Sequence, residues 1–90
     1  MTNSSIILTQ NYRENNAVSA IRLIHSVDIF QNTDVFSVFL TTESDGKQTE
    51  EFIYDISRNK RDAKKFFSLL CEQKATADSL CELAANLIAG

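Results

Sequence analysis

Residues 35–56 read Val35-Phe36-Ser37-Val38-Phe39-Leu40-Thr41-Thr42-Glu43-Ser44-Asp45-Gly46-Lys47-Gln48-Thr49-Glu50-Glu51-Phe52-Ile53-Tyr54-Asp55-Ile56, and the fold depends on how they pair. Asp45-Gly46 between two apolar-rich runs is a hairpin signal, because both residues tolerate the left-handed backbone that a tight turn needs. A two-residue loop sets Phe36 opposite Asp55 and Leu40 opposite Glu51. A three-residue loop through Ser44-Asp45-Gly46 sets Phe36 opposite Tyr54 and Val38 opposite Phe52, and closes the hairpin with Glu43 against Lys47. The second register gathers the apolar residues on one face, whereas a slip of one residue scatters them. The three-residue loop is therefore expected.

One hairpin earlier, a turn through Gln31-Asn32-Thr33-Asp34 pairs Phe30 with Val35 and aligns Ile29 with Phe36, Val27 with Val38 and His25 with Leu40. Both turns then place one inner face together: Ile21, Leu23, His25, Val27 and Ile29, then Phe36, Val38 and Leu40, then Phe52, Tyr54 and Ile56. Ala17, Ala20, Ile21, Ile24 and Val27 also fit helical spacing, so strand and helix both stay open for residues 17–30. A further strand is expected near Ile6 to Tyr12.

After Ser57 the apolar period changes to 3.6. Asn59 reads as a helix N-cap with Asp62 three residues on. Ala63, Phe66, Phe67 and Leu70 form the stripe of a first helix, about 60–73. Thr76 reads as the cap of a second, about 77–89, with the stripe Ala77, Leu80, Cys81, Ala84, Leu87 and Ile88. β-Branched and aromatic residues precede Ser57, while Ala, Leu, Lys and Glu follow it. Strands followed by helices predict an α+β fold: a three- or four-stranded antiparallel meander, strands within about 5–57, and a two-helix hairpin packed on one sheet face.

Ninety residues make a single domain, with 43% hydrophobic and 23% charged residues. A chain this short buries roughly 60–65% of its unfolded surface, enough for one modest core. The net charge of −3 argues against a protein built mainly to neutralise phosphates. Met1 to Gln10 carry no basic signal-peptide region, and Ile6-Ile7-Leu8 is too short for a membrane span, so a cytoplasmic location is expected. Cys71 and Cys81 suit neither a disulfide framework nor a zinc site, and are read as small buried hydrophobes on the helix stripes.

Nothing in the spacing selects a catalytic constellation. One histidine cannot build an imidazole metal cluster, and two glycines cannot build a phosphate cradle. His25 is read as a core or rim histidine with a hydrogen-bond partner. No enzyme activity, cofactor or metal is expected. Two surfaces stand out instead. The outer sheet face is expected to carry Ile24, Phe30, Val35, Phe39 and Ile53, where a free-standing sheet would turn polar residues to water. Self-association or binding of another protein through that face is the leading reading, unless the N-terminal segment folds over it. The second surface is Arg58, Lys60, Arg61, Lys64 and Lys65. The last four fall within an arc of about 140° opposite the phenylalanine stripe, an alternative contact for nucleic acid or another anion. No exposed aromatic is interleaved with them to stack bases.

The run Tyr54-Asp55-Ile56-Ser57-Arg58-Asn59, followed by Ala63, Leu69-Leu70-Cys71-Glu72, Thr76 and Leu80, resembles a family of small proteins from clostridia and related Gram-positive bacteria. The likeness spans roughly residues 52–83, and implies a bacterial origin and the same strand, junction and helical hairpin. Such sequences carry Pro and His just after the second cap, where this chain has Ala77 and Ser79. The family brings no assigned activity, so the resemblance implies no catalytic residue.

Overall fold

The computed structural model describes residues 4–89, with side chains through Asn86. Four strands, β1 (Ser4–Glu14), β2 (Ala17–Asp28), β3 (Thr33–Ser44) and β4 (Lys47–Ser57), are followed by helices α1 (Lys60–Glu72) and α2 (Leu80–Ala89). The strands form one antiparallel sheet in the order β1-β2-β3-β4, a simple meander. The α+β architecture is thus the expected one, with four strands, and residues 17–28 are strand rather than helix. The segment Ile6 to Tyr12 extends the sheet within β1 rather than folding over its outer face.

Alternation along β2 and β3 sorts the side chains as expected. Ile21, Leu23 and His25 lie opposite Leu40, Val38 and Phe36, all on the helix side. The pairing itself differs from the expected one by four residues. Asp28 pairs with Thr33, and the loop is Ile29-Phe30-Gln31-Asn32. An even shift keeps every paired side chain on its face, so face parity does not reveal it; Ile29, expected on the inner face, instead falls in the loop and is 68% exposed. Asp28 sets the turn locally: its Oδ1 accepts from the backbone N–H groups of Phe30 (2.9 Å) and Gln31 (3.3 Å), and Asn32 takes the left-handed conformation.

The β3–β4 hairpin corrects the expected three-residue loop. Ser44 pairs with Lys47 across a two-residue turn, with φ of 53° at Asp45 and 78° at Gly46. Positive φ at both positions is the type I′ turn, whose twist matches that of the flanking strands. Leu40 therefore lies opposite Glu51, and Phe39 opposite Phe52. Glu51 is tolerated on the helix side because β4 is an edge strand; its Oε1 lies 3.5 Å from the Cys81 thiol. Phe52 and Tyr54, expected inside, are on the outer face, and Ile53, expected outside, packs against the core.

The register then shifts by two residues, from Val38–Ile53 to Phe36–Ser57. Asp55 takes φ of 60° in this bulge, and its N–H donates to Ser37 Oγ at 3.1 Å. The detour brings Ile56 back against the core.

That core lies between the sheet and the helices. Ile21, Leu23, Phe36, Val38 and Leu40 meet Ala63, Phe67 and Leu70 of α1, and Ala75 and Leu80. Asn59 caps α1 as expected, its side chain accepting from the Asp62 N–H at 3.1 Å. The end of α1 is a Schellman motif: the Lys74 N–H donates to the Cys71 carbonyl, and the Ala75 N–H to Leu70. Lys74 holds the left-handed position usually given to glycine, at φ 50°.

Thr76 does not cap α2 with its side chain. Its carbonyl accepts from the Ser79 and Leu80 N–H groups in a turn, and α2 starts three residues later than expected. Thr42 holds this turn to the sheet. Its buried Oγ1 accepts from the Ala77 N–H and shares a hydrogen bond with Ser19 Oγ, both at 2.9 Å. Cys71 is half-buried, whereas Cys81 is exposed, correcting its reading as a buried hydrophobe. The side chains of Leu87 and Ile88 lie outside the described residues.

Candidate protein-interaction face

The helices cover one side of the sheet, and no described segment covers the other. Cross-strand pairing orders the outer side into rows. Ile6 and Ile24 share one row with Ser37. The next holds Thr9, Arg22, Phe39 and Phe52. Beyond it come Asn11, Ala20, Thr41 and Glu50, then Arg13, Val18, Glu43 and Gln48. The face is thus apolar towards the β2–β3 loop and polar towards the β3–β4 hairpin.

Its apolar half exposes large side chains. Ile6 is 58% exposed, Phe52 49% and Tyr54 59%, while Ile24 and Phe39 are half-buried. A shallow depression of about 330 Å³ runs between Ile24, Ser26, Ser37, Phe52 and Tyr54. The Phe39 and Phe52 rings are tilted at 50° with centroids 6.4 Å apart, and the Arg22 guanidinium lies over Phe39, 5.6 Å from its centroid.

Of the five expected contact residues, the structure brings only Ile24 and Phe39 together on this face. Val35 has the right parity and is 0% exposed, so it offers no surface. Phe30 stands at the tip of the β2–β3 loop, 93% exposed, because the loop begins after Asp28. Ile53 is on the helix side. Ile6, Phe52 and Tyr54 belong to this face without being among the expected contact residues. Their signal is the alternation Phe52-Ile53-Tyr54, which fits either face, and the bulge between Ile6 and Leu8, which changes the phase of β1.

The five cations divide. Lys60, Arg61, Lys64 and Lys65 are exposed on α1. Arg58 is a clamp: Nη2 and Nε bond Asp55 Oδ2 at 3.1 and 3.2 Å, and Nη1 donates to Gln31 Oε1 (2.6 Å) and Thr33 Oγ1 (2.8 Å). Asp28 Oδ2 stands 3.8 Å from Nη2. The hydrogen bond to Asp55 is the main reason that the guanidinium holds its proton more tightly than an ordinary arginine. Arg58 thus fastens the bulge to the β2–β3 loop.

His25 sits at the sheet rim with the partner expected of it. Its Nε2 lies 2.9 Å from Asp34 Oδ1, and its ring leans on Phe36 at 5.1 Å. Among the described residues, no three His, Cys, Asp or Glu side chains are grouped to hold a metal ion. No described helix is long and apolar enough to cross a membrane. No protein-family model, curated protein or solved structure matches the chain. The fold and face define a small α+β protein with one partly aromatic sheet surface that no described segment covers.

Proposed function

We propose that this chain is a non-enzymatic interaction module that associates with a second copy of itself through the outer sheet face. The observation that carries the reading is the exposure of Ile6, Phe52 and Tyr54 beside Ile24 and Phe39, on a face that no described segment covers. The molecule measures 42 × 32 × 17 Å, a slab of one sheet and one helical layer. Four strands about 4.8 Å apart and about 11 residues long present roughly 700 Å², close to the ~800 Å² per partner of a standard interface. Stacking two such faces gives a helix–sheet–sheet–helix sandwich in which both apolar surfaces are withdrawn from water. The unbridged Cys71 and Cys81 fit a reducing, cytoplasmic setting for this module.

Light scattering across a concentration series tests the reading. The wild-type protein forms a dimer that dissociates on dilution, and Phe52→Asp, at an exposed site, gives a folded monomer. A wild-type protein that stays monomeric at the highest concentrations overturns it.

The second reading, an anion or nucleic-acid contact, rests on Lys60, Arg61, Lys64 and Lys65. They are exposed together on α1, and none forms an ion pair among the described residues. A mobility-shift titration separates the two. Such binding weakens steeply with salt, and loses part of that salt dependence when Lys64 and Lys65 are neutralised.

A further inference from the structure

Arg22 is the anomaly of the outer face. It projects from β2 between Thr9 and Phe39, and its guanidinium lies down over the Phe39 ring. Its Nη1 is sealed from solvent with no hydrogen-bond acceptor, the only such buried side-chain nitrogen or oxygen among the described residues. A charged donor buried without an acceptor is costly, and native proteins supply an acceptor from protein, water or a partner. The side chain is long and rests on the surface of the sheet, so rotation about its own torsions lifts the guanidinium outward.

The same face carries the complementary charge. Glu43 and Glu50 both have outer parity, and neither is ion-paired among the described residues. Glu50 is exposed and lies one row from Arg22, whereas Glu43 lies two rows away. Glu50 has only a long 3.5 Å contact from Gln48 Nε2. Within one copy the two groups are on β2 and β4, separated by β3.

We infer that the self-association proposed above, on which this step rests, is held in register by a reciprocal ion pair, Arg22 of each copy with Glu50 of the other. A two-fold axis along β3 lays β2 of one copy across β4 of the second, so that β2, β3 and β4 overlap over roughly 540 Å² of the face and β1 flanks the contact. Phe39 then stacks near its own symmetry mate, and Arg22 reaches the second copy's Phe52 and Glu50 across a gap of about 10 Å. Because the contact is isologous, the pair forms twice. The guanidinium exchanges an unpaired burial for a charge-assisted hydrogen bond in a setting that excludes water.

Charge reversal tests this. R22E alone sets two carboxylates against each other at each pair, and E50R alone sets two guanidinium groups together. Each is expected to raise the dimer dissociation constant at least about tenfold. An equimolar mixture of R22E and E50R joins opposite charges again, so native mass spectrometry is expected to show a heterodimer in excess of either homodimer. Glu50 is exposed, and E50R keeps its fold by circular dichroism; should R22E fail to fold, R22Q takes its place and shows the same weakened homodimer. A wild-type dimer that E50R leaves unchanged, or a mixture without a heterodimer, overturns the ion pair while leaving face-to-face association standing. A monomeric wild-type protein overturns both.

Discussion

Phe39 and Phe52 stand directly opposite each other on the face of the sheet turned away from the helices. This pairing follows from the two-residue Asp45-Gly46 turn, and it puts aromatic surface where a partner can reach it. Inserting one residue between Asp45 and Gly46 favours the alternative register, which turns Phe52 and Tyr54 inward and Ile53 outward. The fluorescence of Tyr54 then becomes resistant to acrylamide quenching, while in the wild-type monomer it is quenched freely.

Gly46 has nothing within 4 Å of the position a Cβ would take, so only its backbone resists substitution. Gly46→Ala is expected to lower stability by about 1 kcal/mol through the positive φ alone. Urea denaturation measures it. A neutral result contradicts the type I′ turn.

The converse holds at Lys74, a non-glycine residue in the left-handed position of the α1 terminus. Lys74→Gly relieves that strain and is expected to raise stability by about 0.5–1 kcal/mol, read as a higher urea midpoint.

How far the sequence shows these features depends on how local they are. The helix stripe of Ala63, Phe67 and Leu70 and the Asn59 cap are legible because their determinants lie within a few residues. The inward set Ile21, Leu23, Phe36, Val38 and Leu40 is legible because alternation survives any even slip of register. That same invariance hides the four-residue error in the β2–β3 loop. The register expected for β4 differs from the observed one because gathering every apolar residue onto one face presumes that only one face is apolar. Here both are, and turn chemistry decided between Phe52 and Ile53. Arg58 was legible as a cation but not as a clamp, since Asp28, Gln31 and Thr33 are distant in sequence and only the fold brings them near. Cys81 is exposed because α2 meets the core through Leu80, Leu83 and Ala84, which leaves the thiol at the sheet margin beside Glu51 of the edge strand.

Thr42 joins the sheet to the turn before α2. Thr42→Val keeps the shape but leaves the buried Ala77 N–H without its acceptor and Ser19 Oγ without its partner. A loss of about 2 kcal/mol is expected, with a smaller loss for Ser19→Ala, both by urea denaturation.

The Tyr12 hydroxyl donates to the Ala75 carbonyl, and burial, helped by the neighbouring Cys71, pushes its pKa well above the ordinary tyrosine range. The folded state therefore holds this proton more tightly than the unfolded state. Its contribution to stability is complete below pH of about 10 and is lost as the pH rises further. Above that point the wild-type urea midpoint falls more steeply with pH than that of Tyr12→Phe. Parallel slopes contradict the buried hydroxyl.

Small-angle X-ray scattering of the wild-type protein tests the stacked arrangement most directly. The single chain has a Cα radius of gyration of 13.2 Å. Two slabs joined face to face, with sheets ~10 Å apart, have a radius of about 17 Å at twice the 10.1 kDa chain mass, and this is the expected result. A single-chain mass with a radius near 13.2 Å at every concentration contradicts the account. So does a dimer of about 20 Å, the elongated particle formed when sheets join edge to edge.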